Sequence, residues 1–108
     1  MNRTDIVNNI ITARNDAHDK ARAYRNYKPN THKYWRTLAA AETYDETLTM
    51  FAQGTQNKIP NMAADAIEIY EYTLNNDKAL STSGGLATIA VAEGHKNALA
   101  TVTEWMNT

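Results

Sequence analysis

Apolar residues recur along this chain every three or four positions, and no stretch alternates with period two over a useful length. That spacing lines side chains along one face of an α-helix and argues against strands. A first helix is predicted from about Thr4 to Tyr27, with Ile6, Ile10, Ala13, Ala17, Ala21 and Tyr24 on one stripe and Val7 at its edge. Thr4 or Asn2 can cap its start, and Asp5 suits the positive end of the helix dipole. Pro29 ends it, because the residue before a proline is steered out of helical geometry. A second helix is predicted from about Thr31 to Gln53, capped by Asn30 or Thr31 and stopped by Gly54. Its stripe is Tyr34, Leu38, Ala41, Tyr44, Leu48 and Phe51.

The third helix opens near Pro60, a residue suited to the first helical turn, and runs to about Asn75. Met62, Ala63, Ala66, Ile67, Tyr70 and Leu74 make its inward stripe, while Asp65, Glu68 and Tyr72 lie on the other side with Glu71 at the edge. The runs "NNDK" and "STSGG" separate it from a fourth helix near Ser83 to Met106, with one further turn through Leu80 allowed between them. Val91, His95, Ala98, Leu99, Val102 and Met106 share the fourth stripe, with Trp105 at one edge. Short connections imply antiparallel neighbours, so the expected fold is a single-domain, all-α, antiparallel four-helix bundle spanning 1–108. An Ala, Tyr, Leu rhythm links Ala41–Leu48 with Ala66–Leu74, but it does not recur, which argues against a solenoid.

Composition adds a constraint on the core. Leu, Ile, Val and Phe supply only 17 of 108 residues, so Ala, Met, Tyr and Trp must fill the interior. Ala-rich helices approach closely, yet each contact buries little apolar area, so support from a partner or a homo-oligomer is expected. The absence of cysteine excludes disulfides, thiolate metal sites and cysteine catalysis. No apolar run approaches the roughly 20 residues that span a bilayer, and the first residues are too polar for a secretory signal, which together predict a cytoplasmic protein. Asn and Thr are abundant, at 12 and 14 residues, a composition common among small phage and mobile-element proteins.

Charge is divided unevenly. Residues 1–36 hold eight Lys/Arg against three Asp/Glu, a net of +5, and residues 37–108 hold three against nine, a net of −6. The basic excess peaks in "ARAYRNYKPNTHKYWR", Ala21 to Arg36, where cations alternate with aromatic rings. Tyr24 and Tyr34 fall on core stripes, Arg22 can pair with Asp19, and Lys20 with Asp16. The remaining candidates for partner binding are Arg25, Tyr27, Lys28, Lys33, Trp35 and Arg36. Trp35 stands about 100° from Tyr34 on a helix, off the stripe, where a large ring serves either as an interface anchor or as a lid over the turn. The same cation–aromatic mixture is what single-stranded nucleic acid binds, which makes nucleic-acid binding the alternative function.

"RNYKPNTH", Arg25 to His32, resembles the Arg-Asn…His signature of the HEPN nucleases, all-helical domains of about this size. The resemblance spans eight residues and implies a metal-independent ribonuclease, with Arg25 for the phosphate and His32 for acid–base work. That family usually carries both residues on one helix, whereas Pro29 lies between them here. His95 sits mid-stripe without a Glu-x-x-His or His-x-x-x-His partner, so it reads as a core histidine bonded to another helix, with Asp45 as a candidate partner. The acids Glu42, Asp45, Glu46, Asp65, Glu68 and Glu71 read as solvated faces or as docking sites for the basic first helix. "SGG" lacks the Lys and the preceding strand of a phosphate loop. No cofactor, metal or enzymatic activity is expected. The leading function is protein–protein binding, as an inhibitor, adaptor or accessory factor.

Overall fold

The computed structural model describes residues 1–27, 32–76 and 83–108, together with all side chains there except those of Tyr27 and Ser83. Four helices account for nearly all of it: α1 (Arg3–Tyr27), α2 (His32–Gln53), α3 (Ile59–Leu74) and α4 (Ser83–Met106). A short 3₁₀ turn, Gln56–Lys58, joins α2 to α3, and no strand occurs among the described residues. The expected four-helix bundle is therefore the fold.

The helix ends follow local chemistry. Asn2 caps α1 by accepting the Asp5 amide at 2.8 Å on its side-chain oxygen. At the other end of α2, Gly54 adopts φ +74°, a backbone region that costs glycine nothing. The Gly54 amide then reaches the Phe51 carbonyl at 3.4 Å and the Thr55 amide reaches Met50 at 2.9 Å, a Schellman closure. Arg3 donates to the same Phe51 carbonyl from α1 at 2.8 Å, setting a cation on the negative end of the α2 dipole. Pro60 occupies the first turn of α3. The expected caps Asn30 and Thr31 lie outside the described residues.

Successive helices run antiparallel, so α2 and α4 run parallel: Arg36 meets Glu93 and Gly94, and Tyr44 bonds Thr101 about two turns further along both. In a square bundle these two would face each other across a diagonal. Here they form the most extensive helix pair, with α1 laid against α2 and α3 against α4. Gly94 explains the close approach. A Cβ built on it would overlap the Arg36 carbonyl oxygen and come within 3.1 Å of the Ala39 Cβ. The result is a flattened bundle, 43 × 31 × 21 Å, with a radius of gyration of 14.3 Å. A chain of this length packed as a sphere gives about 13 Å.

The larger apolar side chains gather at one end. Ile6 and Ile10 of α1, Met50 and Phe51 of α2, Ile59 of α3, and Leu99 and Val102 of α4 form one buried cluster, with Trp105 and Met106 packed on it. Fully burying such a side chain contributes about 1.5–3 kcal/mol. Toward the other end the interior is built from Ala17, Ala21, Ala39, Ala41 and Ala90, with Ile89 the large exception. The structure corrects several stripe assignments. Val91 is 42% exposed rather than inward, and Ile67 and Leu74 are exposed on the flank of α3. Thr43 and Thr47 are buried although both read as polar. A helix sandwiched between two neighbours needs two buried faces, and each threonine satisfies its hydroxyl within its own helix, on Ala39 O at 2.7 Å and Tyr44 O at 2.8 Å.

Candidate partner-binding surfaces

The basic–aromatic end is formed by the last turn of α1 and the first turns of α2. Arg25 and Lys33 are exposed there, whereas Lys28 and the Tyr27 side chain lie outside the described residues. Trp35 is half-buried and meets Tyr34 edge to face, with centroids 5.0 Å apart and planes at 66°. Such pairs favour a fixed ring position. Arg36 is half-buried and paired with Glu93 of α4 at 3.4 Å, while its carbonyl seats Gly94. Trp35 and Arg36 are thus engaged with neighbouring residues, and Arg25 and Lys33 are the outward cations among the described candidates.

Much of the remaining positive charge is also met inside the chain. Lys20 pairs with Asp16 at 3.0 Å and Arg22 with Asp19 at 3.6 Å, as their helical spacing implies. Asp45 of α2 receives the His18 Nε2 at 2.9 Å and the Arg14 Nε at 3.6 Å, so an acid of the second helix does face the basic first helix. Asp45 is therefore not the partner of His95. That partner is Thr43: its hydroxyl gives its proton to Ala39 O and accepts from the His95 Nδ1 at 2.8 Å. His95 acts as an interhelical tie between α4 and α2. Burial pushes the Tyr44 phenol above its ordinary value of 10.0, with the bond to Thr101 opposing the shift.

His32 is exposed at the first residue of α2, and Arg25 stands on the last turn of α1. The two residues of the HEPN-like pattern thus occupy separate helices. Among the described residues, no three His, Asp or Glu side chains converge as a metal site. A shallow groove of about 280 Å³ between α1, α2 and α4 is lined by Asp16, Lys20, Arg36, Tyr44 and Asn97, among others, and its cations already hold the acids named above.

A second surface lies on α3. Tyr72 is 76% exposed and Ile69 58%, beside the exposed acids Asp65, Glu68 and Glu71. Sequence reasoning put Tyr72 outward together with the acids but left Ile69 unassigned. The missed signal is that α3 carries apolar residues on more of its circumference than one neighbour can cover. No described helix is long and apolar enough to cross a membrane. No family model, curated protein or solved structure matches the chain.

Proposed function

We propose that this protein acts by binding another protein, as an inhibitor, adaptor or accessory factor in the cytoplasm, rather than by catalysis. The supporting observation is the outer face of α3, where Ile69 and Tyr72 stand in solvent without serving the core. Large apolar side chains in such a position stabilise a complex when covered and contribute little to the free fold. The basic end around Arg25 and Lys33 is the second candidate surface, narrower than the sequence implied because Trp35 and Arg36 are held by neighbouring side chains.

Affinity purification from the host with three proteins tests this reading: wild type, Ile69→Asn/Tyr72→Ser, and Arg25→Glu/Lys33→Glu. A specific partner lost on the α3 variant, or on the basic-end variant, supports protein binding and says which face carries it. Retention of nucleic acid alone, with affinity falling steeply as salt rises, would overturn it.

A further inference from the structure

We propose that the outer face of α3 docks a basic amphipathic helix of a partner protein, with Ile69 and Tyr72 as the apolar contacts and Asp65, Glu68 and Glu71 as its charge partners. The proposal rests on the protein-binding reading above and adds the chemistry of the occupant.

Its first support is spacing. Met62, Asp65, Ile69, Tyr72 and Asn76 follow one another at intervals of three, four, three and four residues, the seam that a second helix packs along. Met62, half-buried, packs on the core, so the seam starts at the margin of the interior and runs outward to Ile69 and Tyr72. The side of α3 through Ile59, Ala63 and Ala66, about 100° further round the helix, is the one buried in the bundle. The seam is therefore additional to the surface the fold consumes.

Its second support is charge. From Ile59 to Leu74 there is no Lys, Arg or His, and the charged residues are Asp65, Glu68 and Glu71. None of the three takes part in an ion pair among the described residues. The cation of α4 packed closest, Lys96, lies over the Tyr70 ring at 4.3 Å. Asp65 within the seam, Glu68 at its edge and Glu71 further round favour a partner with Lys or Arg beside its own apolar stripe, and they repel nucleic acid and anionic lipid. A second copy of this chain is a weaker fit. Arg14, Lys20 and Arg22 of its basic first helix are already paired with acids of its own chain, which leaves few outward cations there beyond Arg25.

The test uses the full chain and two labelled helical peptides of Leu-based heptads, one with Lys and Arg beside the seam and one with Glu in the same places. Fluorescence anisotropy is expected to show binding of the basic peptide only, weakening as salt rises. Ile69→Asn/Tyr72→Ser, which leaves every charge in place, is expected to weaken it at least tenfold. Glu68→Lys/Glu71→Lys is expected to do the same, with circular dichroism melts confirming that both variants stay folded. Equal binding by wild type and Ile69→Asn/Tyr72→Ser means charge alone attracts the peptide and overturns the proposal. So does equal binding of the acidic peptide, or a dimer in sedimentation velocity that Tyr72→Ser dissolves. If neither peptide binds while a host partner is still lost on Ile69→Asn/Tyr72→Ser, the occupant's chemistry is wrong and the protein-binding reading stands. If that partner is also retained by the α3 and basic-end variants, both fail.

Discussion

Replacing Gly94 with Ala sets two physical effects against each other. Alanine is about 1 kcal/mol better than glycine inside a helix, so α4 considered alone gains stability. The methyl group, however, lands on the Arg36 carbonyl oxygen, 2.9 Å from the carbonyl carbon and 3.1 Å from the Ala39 Cβ. Two of these three contacts are backbone, so no rotamer change relieves them, and α2 and α4 must separate. Separation loosens the Arg36–Glu93 pair at 3.4 Å and the Thr43–His95 bond at 2.8 Å, and it opens the Ala-lined interface between them. Overpacking costs about 1–3 kcal/mol, and a backbone clash belongs at the upper end. Net of the helical gain, Gly94→Ala is expected to cost about 2 kcal/mol, a fall in Tm of roughly 10 °C for a domain of this size. Gly84 in the first turn of the same helix has nothing within 4 Å of its Cβ position. Gly84→Ala is expected to be neutral or to add up to about 1 kcal/mol. Urea and thermal unfolding followed by circular dichroism measure both. A Gly94→Ala protein as stable as wild type, or more so, refutes the close diagonal contact between α2 and α4.

Other substitutions probe the ties between helices. Thr43→Val removes the acceptor of the His95 Nδ1 proton and is expected to cost about 1 kcal/mol in urea unfolding, with a smaller further loss when His95→Ala is added, because the two share one interaction. Arg3→Ala removes the charged donor from the Phe51 carbonyl at the end of α2, leaving only the longer Gly54 bond, and is expected to cost about 1 kcal/mol by the same measurement, with Arg3→Lys retaining part of it. The Tyr44 phenol titrates above 10.0 in the folded chain because of burial. Below pH 10 the proton is held in both states and no stability difference arises. Above it the unfolded chain ionises first, so wild type loses stability that Tyr44→Phe does not. Tm measured from pH 8 to 11 is expected to shift in favour of Tyr44→Phe only above pH 10, and a constant difference across that range would contradict the buried phenol.

Local chemistry set the helices. The 3.6-residue spacing, Gly54, Pro60 and the Asn2 cap act within a few residues of where they stand, so α1 to α4 and the one-sided stripe of α1 could be read directly from residue order. The i,i+4 pair Lys20–Asp16 and the i,i+3 pair Arg22–Asp19 followed for the same reason. What depended on tertiary packing was which helices meet. A periodic stripe says that a face is covered, not by how many neighbours. Placing α2 between α1 and α4 buried Thr43 and Thr47, whose hydroxyls bond within their own helix and so tolerate the interior. Gly94 reads in sequence as a weak point in a helix. Only the crossing with Arg36 shows it to be what lets two parallel helices close across the diagonal. The same packing paired Asp45 with His18 and Arg14, and His95 with Thr43, partners lying 27 to 52 residues apart in the chain. It drew Arg36 away from the basic end and left Ile69 and Tyr72 uncovered, because α3 finds one neighbour where its apolar residues have room for two. Separation along the chain carries no information about these choices. They follow from the three-dimensional fit of small and large side chains between helices.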